Sequence, residues 1–557
     1  MLGRLIQFSL TQRLLVMLGV MLLIGGGWHA AGKTPIDAFP DVSSTQVKII
    51  VKAPGMTPEE VETRITGPIE VEMLGIPRQA MLRSVAKSAL TDITVDFEEG
   101  TDIYWARQQV AERLNAIWAD LPADISGGIA PMTTPLGEMF MFTIEGGDLS
   151  SMQRRELLDW EIRPALRSVP GVADVNALGG EVRSFEVVPD NARLTARGIS
   201  LDQLRSALEA NNRNDGAGRL NDGEEVLLVR TEGSVRSLED VAAIVVKPDR
   251  VQPVRIGDVA EVALGAVTRY GAVTADGDRE IVEGLVLGLR GANAREVVSG
   301  VRGKLEELAP SLPQGVKTKV FYDRGVLVER AVGTVTKALA EAIVLVLILL
   351  VLFLGDLRAA LAVALILPLA ALATFILMYG FGLSANLMSL GGLTVAIGML
   401  VDAAVVVVEN VVSGLSHRKD EKLPRLHLIY RATKEVAMPV TSGILIIIIV
   451  FLPLLTLQGL EGKLFGPMAL TIVFALSASL LLSLSVVPVL ASYLFTSVKH
   501  RDPLLVRWLQ RAYVPLLHWS LRHANMVVAV AVILLIAAAG LYTQVGKAFM
   551  PTMDEGD

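Results

Sequence analysis

Residues 387–412 read LMSLGGLTVAIGMLVDAAVVVVENVV, and no other part of the sequence constrains the fold class as strongly. This stretch exceeds the roughly 20 apolar residues that cross a bilayer, and its only charged side chains are Asp402 and Glu409. An acid at membrane depth costs roughly 2.5–3.5 kcal/mol on insertion scales, so such residues normally face protein and are functional. Seven residues is about two helical turns, which places both acids on one face of a helix. That pattern indicates a membrane helix that can pass protons.

The same helix is rich in small residues, which let neighbouring helices approach closely. They are Gly391, Gly392, Gly398, Ala396, Ala403 and Ala404. A purely structural role remains open for the two acids. They could be interior groups satisfied by hydrogen bonds, and Glu409 could sit at a helix end near the lipid headgroups.

Composition agrees with a membrane protein that also has a large soluble part. Of the 557 residues, 52% are hydrophobic, and the formal net charge is only -7. No run of basic residues in the chain has the density typical of a nucleic-acid-binding surface, so nucleic-acid binding is set aside. It has no cysteine, which rules out disulfides, thiolate metal sites and thiol nucleophiles.

Apolar windows predict seven membrane helices. They lie near 13–31, 336–355, 359–380, 387–412, 436–457, 465–495 and 526–545. The first window lacks a good cleavage site and is interpreted as a retained anchor rather than a signal peptide. Arg4 and Arg13 precede the first helix, and Arg358 lies between the second and third. Further Lys and Arg residues lie between the fourth and fifth helices and after the sixth, whereas the loops 381–386 and 458–464 hold a single Lys463. This bias predicts a cytoplasmic amino terminus and an external block at 33–335.

The external block has the pattern of repeated βαβ units. Predicted strands and helices alternate at 92–100, 101–122, 139–147, 150–170, 171–180, 280–291, 293–313 and 315–323. The Gly/Asn/Asp-rich residues 210–225 predict a loop or protruding hairpin. Residues 503–523 mix apolar, aromatic and basic side chains, as expected of a helix on the cytoplasmic membrane surface.

Several motifs in one order resemble the resistance-nodulation-division (RND) transporters, and within them the heavy-metal-efflux branch. The motifs are TPIDAFPDVSSTQVKI (34–49), EEGTDIYWARQQVAERL (98–114), PLGEM (135–139), VFYDRGVLVERAV (320–332), AIGMLVDAAVVVVEN (396–410) and FMPTMDEGD (549–557). The resemblance implies an α-helical membrane bundle plus an α/β periplasmic porter domain, here the amino-terminal repeat with seven transmembrane helices. It also implies a second half of similar design, so the chain is expected to be truncated.

The resemblance divides the chain as follows: first transmembrane helix 1–32; porter subdomains 33–180; docking subdomain 181–275 with hairpin 210–225; completion of the second porter subdomain 276–335; transmembrane helices 2–6 at 336–497; cytoplasmic amphipathic helix 498–525; transmembrane helix 7 at 526–546; and the start of a second periplasmic block at 547–557.

The expected function is proton-driven efflux of heavy-metal cations from the inner membrane of a Gram-negative bacterium. Asp402 would be the principal proton carrier and Glu409 a second relay station. Expected partners are two further copies in a homotrimer, a periplasmic adaptor protein, an outer-membrane channel protein and the transported metal ion. No other cofactor and no enzyme activity are expected.

Cu⁺ or Ag⁺ is the favoured substrate. Members that move divalent zinc, cobalt or cadmium usually carry an extra aspartate where this chain has Ala396. Met388 and Met399 on the same helix are candidate soft ligands, although methionine is equally a core filler. Divalent cations and organic compounds remain alternatives, as does a lipid-handling relative. An intramembrane aspartyl protease is disfavoured because no other predicted span contains an Asp.

Outside the membrane, Glu138 and Asp174 are candidate oxygen ligands for a metal. Both are also ordinary positions for solvated acids at strand ends. Met132, Met139 and Met141 could meet a soft cation, but core packing explains them better. The principal metal ligands are expected in the second half that the resemblance implies.

Overall fold

The computed structural model describes residues 2–37, 40–134, 136–214, 216–222, 225–230, 232–248, 252–417, 423–495 and 504–546. The terminal motif 549–557 and part of the basic loop after the fourth span therefore lie outside the described residues. The chain forms two compact units. One comprises Met1–Met139, Gly288–Ser299 and Tyr322–Asp557, and the other Phe140–Leu287 and Gly300–Phe321.

Two helices begin the first unit, α1 (Leu2–Thr11) and α2 (Arg13–Lys33). α2 corresponds to the first predicted span. α1 was not predicted, yet its sequence is amphipathic, and Ile6 and Leu10 are buried in the core of the membrane helices. The helical spacing of its apolar residues was a usable signal for this element.

The first α/β sheet follows in the same unit. Its elements are β1 (Gln46–Lys52), α3 (Pro58–Val61, a π-helical turn Glu62–Thr66, and Gly67–Met73), β2 (Gln79–Lys87), β3 (Leu90–Phe97), α4 (Ile103–Ile117, then a 3-10 turn Trp118–Asp120) and β4 (Ser126–Ile129). The strand order is β2-β3-β1-β4, and the pairs of β1 with β3 and β4 and of β2 with β3 are antiparallel. Val47, Ile49 and Val51 alternate along β1 into the core.

The second sheet begins with β5 (Glu138–Gly146), α5 (Ser151–Leu157, a π-helical turn Leu158–Ile162, and Arg163–Arg167) and β6 (Val172–Leu178). In α5 as in α3, the π-helical turn ends two residues before a proline, Pro164 here and Pro68 in α3. Proline lacks an N–H and crowds the preceding turn, so a widened turn lets the helix continue.

A long insertion separates this half of the second sheet from the rest. Its elements are β7 (Arg183–Pro189), α6 (Asn191–Arg197), α7 (Leu201–Asn211), β8 (Gly216–Asp222), β9 (Glu225–Arg230), α8 (Leu238–Ala243), β10 (Val245–Lys247), β11 (Val254–Arg255), α9 (Ile256–Val259), β12 (Ala260–Ala266), β13 (Thr274–Ala275) and β14 (Arg279–Glu280). β8 and β9 pair antiparallel, so the described part of 210–225 contributes to a hairpin.

The second sheet is completed by β15 (Glu283–Gly288), α10 (Ala294–Leu308, then a 3-10 turn Ala309–Ser311) and β16 (Val316–Asp323). The predicted single strand 280–291 is divided, because β14 pairs with β13 in a separate hairpin. The strand order is β16-β5-β15-β6. Each sheet consists of two βαβ units, and the two strands of one unit flank a strand of the other. In the first sheet β1 and β2 flank β3, and in the second sheet β5 and β6 flank β15. The predicted internal repeat is therefore confirmed.

The remaining helices follow in chain order. They are α11 (Arg324–Leu354), α12 (Leu357–Ala364), α13 (Ile366–Gly380), α14 (Leu387–His417), α15 (Arg425–Phe451, then a 3-10 turn Leu452–Thr456), α16 (Gly459–Leu494), α17 (Leu504–Arg522) and α18 (Ala524–Tyr542). Among the described residues, seven helical segments are long and apolar enough to cross a membrane, with α12 and α13 forming one of them. Each overlaps a predicted span. Residues 504–522 of the predicted surface helix form α17.

Candidate functional site

The two membrane acids lie on one side of α14. Asp402 and Glu409 are both exposed at the surface of this chain, on a stripe that also contains Gly391 and Gly398. Neither carboxylate has a hydrogen bond or ion pair with another described residue. The side that α14 buries is the opposite one, where Ala396 and Val407 are fully enclosed. The expectation that these acids face protein is therefore not met by the described part of this chain.

The buried side of α14 packs very closely on α16. A Cβ at Gly392 would lie 2.7 Å from the carbonyl oxygen of Met468. Farther along, the Ser479 hydroxyl of α16 donates a hydrogen bond of 3.0 Å to the Leu400 carbonyl. The predicted close approach of a neighbouring helix is confirmed at Gly392. Gly391 and Gly398 differ, because a Cβ on either would meet no atom within 4 Å.

A polar contact also fixes the rotation of α14 about its own axis. The Asn410 amide donates a hydrogen bond of 2.7 Å to the Ala432 carbonyl on α15. Asn410 directly follows Glu409, so a contact on one side of the helix holds the adjacent acid on the open side. Packing on α15 and α16 thus determines where the acid stripe points.

The two methionines proposed as soft ligands are partly buried. The Met388 N–H donates to the Asn386 side chain at 3.0 Å in the first turn of α14. Met399 packs against the helix core. Their role as metal ligands stays a prediction. No group of three or more His, Asp or Glu side chains suited to a metal ion occurs in the described part of the chain.

Glu138 and Asp174 have different surroundings. Glu138 is exposed at the first position of β5. Asp174 on β6 accepts hydrogen bonds from Arg163, with an ion-pair distance of 2.9 Å, and lies 3.5 Å from Arg167. It also accepts the Val175 N–H at 2.8 Å. A metal at Asp174 would have to compete with two guanidinium groups, and the ligand assignment of both acids stays a prediction.

The candidate methionines outside the predicted spans also differ in their surroundings. Met139 is buried and its side chain fills the space beside Gly288, which agrees with core packing. Met132 lines a cavity together with Lys48, Arg107 and Arg290. Positive charges beside Met132 disfavour a metal cation there.

The sequence did not predict a cluster of ion pairs and hydrogen bonds on the segment that joins α2 to β1. Arg324, only 4% exposed at the start of α11, pairs with Asp37 at 2.7 Å and donates to the Leu136 carbonyl. Arg290 pairs with Asp41 at 3.0 Å. Lys463, at the start of α16, donates to the Ser43 carbonyl at 2.8 Å. Three of the quoted motifs meet at Arg324, so the charges within them were the available signal.

The membrane helices, the duplicated α/β sheets and the acid-bearing α14 together match one family of proteins. The family model described as AcrB/AcrD/AcrF matches residues 5–557. The chain belongs to the AcrB/AcrD/AcrF family. Membership in this family confirms the RND resemblance and the RND fold.

Curated relatives of this AcrB/AcrD/AcrF chain include cation efflux proteins. The cation efflux system protein CzcA of Alcaligenes sp. (strain CT14) is 40% identical over 573 residues, which cover 100% of this chain and 54% of CzcA. The cation efflux system protein CusA of Escherichia coli (strain K12) is 36% identical over 571 residues, which cover 99% of this chain and 54% of CusA.

A solved structure also resembles this chain. An X-ray crystal structure of a heavy metal efflux pump, crystal form II, superposes with a TM-score of 0.87 at 34% sequence identity. The match covers 99% of this chain and 53% of that pump. The chain therefore spans about half the length of the curated relatives and of the solved pump that it matches.

Proposed function

We propose that this chain forms part of a membrane transporter that exports heavy-metal cations in exchange for protons. The observation that carries the proposal is the pair Asp402 and Glu409 on the open side of α14, opposite the side packed on α16. Two acids within a span are a functional site by default. The heavy-metal relatives support the substrate class.

Asp402 acts as the principal proton carrier and Glu409 as a second station toward the cytoplasmic side. At about 1.5 Å per residue, seven residues separate the two positions by about 10 Å along the helix. The carboxyl groups are then too far apart for a direct hydrogen bond, so water or another side chain must connect them. A cationic group approaching Asp402 would stabilise its ionised form and so release the proton, and withdrawal of that group would favour protonation again.

Contacts in the first unit offer a route from α14 to the α/β region. α14 packs on α16 at Gly392, and Lys463 at the start of α16 holds the Ser43 carbonyl. Arg324 at the start of α11 holds Asp37 in the same connecting segment. A shift of these helices on protonation would pull on the segment that leads into β1. Packed elements of this kind move between discrete arrangements.

For the substrate we favour Cu⁺ or Ag⁺. Soft thioether ligands suit monovalent copper and silver, and Met388 and Met399 lie on α14. The position six residues before Asp402 is Ala396, fully buried and without an acid. Divalent cations are the second candidate, favoured by the 40% identity with the cobalt-zinc-cadmium resistance protein CzcA of Cupriavidus metallidurans (strain ATCC 43123 / DSM 2839 / NBRC 102507 / CH34).

For the assembly we propose an inner-membrane homotrimer that joins a periplasmic adaptor and an outer-membrane channel. The β8–β9 hairpin is the proposed docking element. Its side chains Leu220, Val226 and Leu228 are exposed apolar groups, which is a property of protein-interaction surfaces.

Replacing Asp402, the proposed proton carrier, tests the mechanism. In the complete transporter that contains this chain, Asp402→Asn keeps the side-chain shape but cannot ionise. We expect metal export driven by an imposed proton gradient to fall to the level measured without the gradient. Asp402→Glu, which still titrates, should retain part of the export, and Glu409→Gln should lose part. Export by Asp402→Asn at the unaltered rate would refute the assignment.

The substrate class is tested separately by growth. A deletion strain that expresses the complete transporter is grown on copper, silver, zinc, cobalt and cadmium, and on a panel of dyes. Selective protection against copper and silver supports the favoured substrate. Protection against zinc, cobalt and cadmium supports the second candidate, and protection against dyes alone contradicts both.

A further inference from the structure

A cavity of about 190 Å³ lies beside β1 and the start of α4, in the first unit. Three of its lining side chains are cationic, Lys48, Arg107 and Arg290, and none of its lining residues is acidic. We propose that this cavity binds a small oxyanion of the phosphate or sulfate type. The inference goes beyond the proposed export function and does not depend on it.

The charges of the three cations are only partly compensated. Lys48 lies 3.5 Å from Asp92, and Arg290 pairs with Asp41 at 3.0 Å. Arg107 has no carboxylate partner among the described residues, and its Nη1 donates instead to the Ala130 carbonyl at 2.8 Å. Burial lowers the pKa of the Arg107 guanidinium. A bound anion would supply the missing negative charge.

The side chain of Ser43 independently indicates that the cavity holds a ligand. This residue lines the cavity and is only 8% exposed, and its hydroxyl has no hydrogen-bond partner in the described part of the chain. A buried hydroxyl without a partner is unfavourable, so native proteins normally satisfy such groups with protein, water or a ligand. The Ser43 carbonyl is already used, because it accepts from Lys463 and Arg290. The unused hydroxyl can donate to an oxyanion.

The chemistry of the lining selects among ligands. A transported metal cation is disfavoured by three positive side chains, even though Met132 also lines the cavity. An apolar ligand would leave the Arg107 charge without an anionic partner. Guanidinium and ammonium groups bind oxyanions with short, charge-assisted hydrogen bonds, and Thr133 and Thr134 add hydroxyl donors. Liquid water occupies about 30 Å³ per molecule, so the cavity has room for such an anion with some water.

Binding would act on the connecting segment described above. Ser43 and Ser44 belong to this segment, which receives bonds from Arg290 and from Lys463 at the start of α16. An oxyanion held by Ser43 and Arg107 would join this segment to α4. Its occupancy should therefore stabilise the folded first unit.

The test measures binding of inorganic phosphate, and separately of sulfate, to the purified full chain by isothermal titration calorimetry in a phosphate-free, low-salt buffer. We expect saturable binding that weakens as salt is added. Arg107→Gln should weaken binding by about tenfold or more, because a charge-assisted hydrogen bond is lost. Ser43→Ala should weaken it about threefold to tenfold. Without phosphate, Ser43→Ala should melt at the unaltered temperature or higher, since no bond is removed.

The matched control is Arg113→Gln on the same helix α4. Arg113 is exposed, pairs with Glu72 at 3.4 Å and does not line the cavity, so this variant should bind phosphate within about twofold of the unaltered chain. The proposal is overturned if neither phosphate nor sulfate binds saturably, if Arg107→Gln and Ser43→Ala leave binding unchanged, or if Arg113→Gln weakens it equally. Asp402→Asn should bind phosphate normally, so the export mechanism can fail without affecting this result.

Discussion

Arg324 shows how much one residue can connect. Its guanidinium is buried, pairs with Asp37 and donates to the Leu136 carbonyl, so it joins α11, the segment before β1 and the loop before β5. A buried arginine is unfavourable unless its donors are used, and here several are. Its partner Asp37 is partly exposed, which reduces the electrostatic gain but leaves the buried cation dependent on it.

Arg324→Gln should therefore lower the free energy of unfolding by about 2–3 kcal/mol, because charged hydrogen bonds are lost and Asp37 loses this cation. Denaturant-induced unfolding of the purified chain in detergent measures the change. Arg324→Lys should recover only part of it, since an ammonium lacks the planar fork of donors.

The control for Arg324 is Lys337→Gln. Lys337 lies 3.9 Å from Glu341 one turn away, and both side chains are largely exposed. An exposed pair of this kind contributes little, so the free energy of unfolding should change by less than about 0.5 kcal/mol. Equal effects of Arg324→Gln and Lys337→Gln would contradict the greater stabilisation assigned to the Arg324–Asp37 pair.

Among the elements, the helix α14 has glycines on two sides, and only one side is in close contact with another helix. Gly392 allows backbone contact with α16, whereas Gly391 and Gly398 lie on the open side with Asp402 and Glu409. Substitutions on the two sides should therefore differ even though each adds a single methyl group.

Gly392→Ala should destabilise the chain by about 1–3 kcal/mol, because the added Cβ falls 2.7 Å from the Met468 carbonyl oxygen and α16 must move. Gly398→Ala adds the same group where nothing lies within 4 Å. It should be neutral, or stabilising by up to about 1 kcal/mol, because alanine favours helix more than glycine does. Thermal unfolding of both variants decides the matter, and equal loss in both would contradict the assigned packing of α14.

At the scale of the whole molecule, orientation in the membrane rests on the distribution of Lys and Arg. This distribution predicts that the block at 33–335 lies outside and that the start of α15 lies in the cytoplasm. The chain contains no cysteine, so any introduced cysteine is the only reactive thiol. Exposed positions on each side can therefore be labelled one at a time.

Glu209→Cys on α7 and His427→Cys in the first turn of α15 form the test pair, since both positions are exposed. In spheroplasts, a membrane-impermeant maleimide should label position 209 at once and position 427 only after the membrane is opened. The unaltered chain, which has no thiol, controls for background. The reverse labelling order would overturn the predicted orientation.

Patterns within a short stretch predicted much of this fold. The spans, the βαβ alternation and the hairpin around 210–225 all appear in the structure, because hydropathy and periodicity depend on residues close in sequence. The division of 280–291 escaped prediction, since it depends on pairing of β14 with β13. The helix α1 escaped prediction because its 10 residues are too few to fill an apolar window of membrane length.

The placement of Asp402 and Glu409 on one side of a helix follows from the sequence alone, because a spacing of seven residues is about two helical turns. Which side of α14 is packed follows only from the three-dimensional structure, since that depends on α15 and α16. The three-dimensional structure alone brought Arg324 to Asp37 across 287 positions and Lys463 to Ser43 across 420. Contacts between residues so distant in sequence leave no periodic pattern, and they arise only when the whole chain packs.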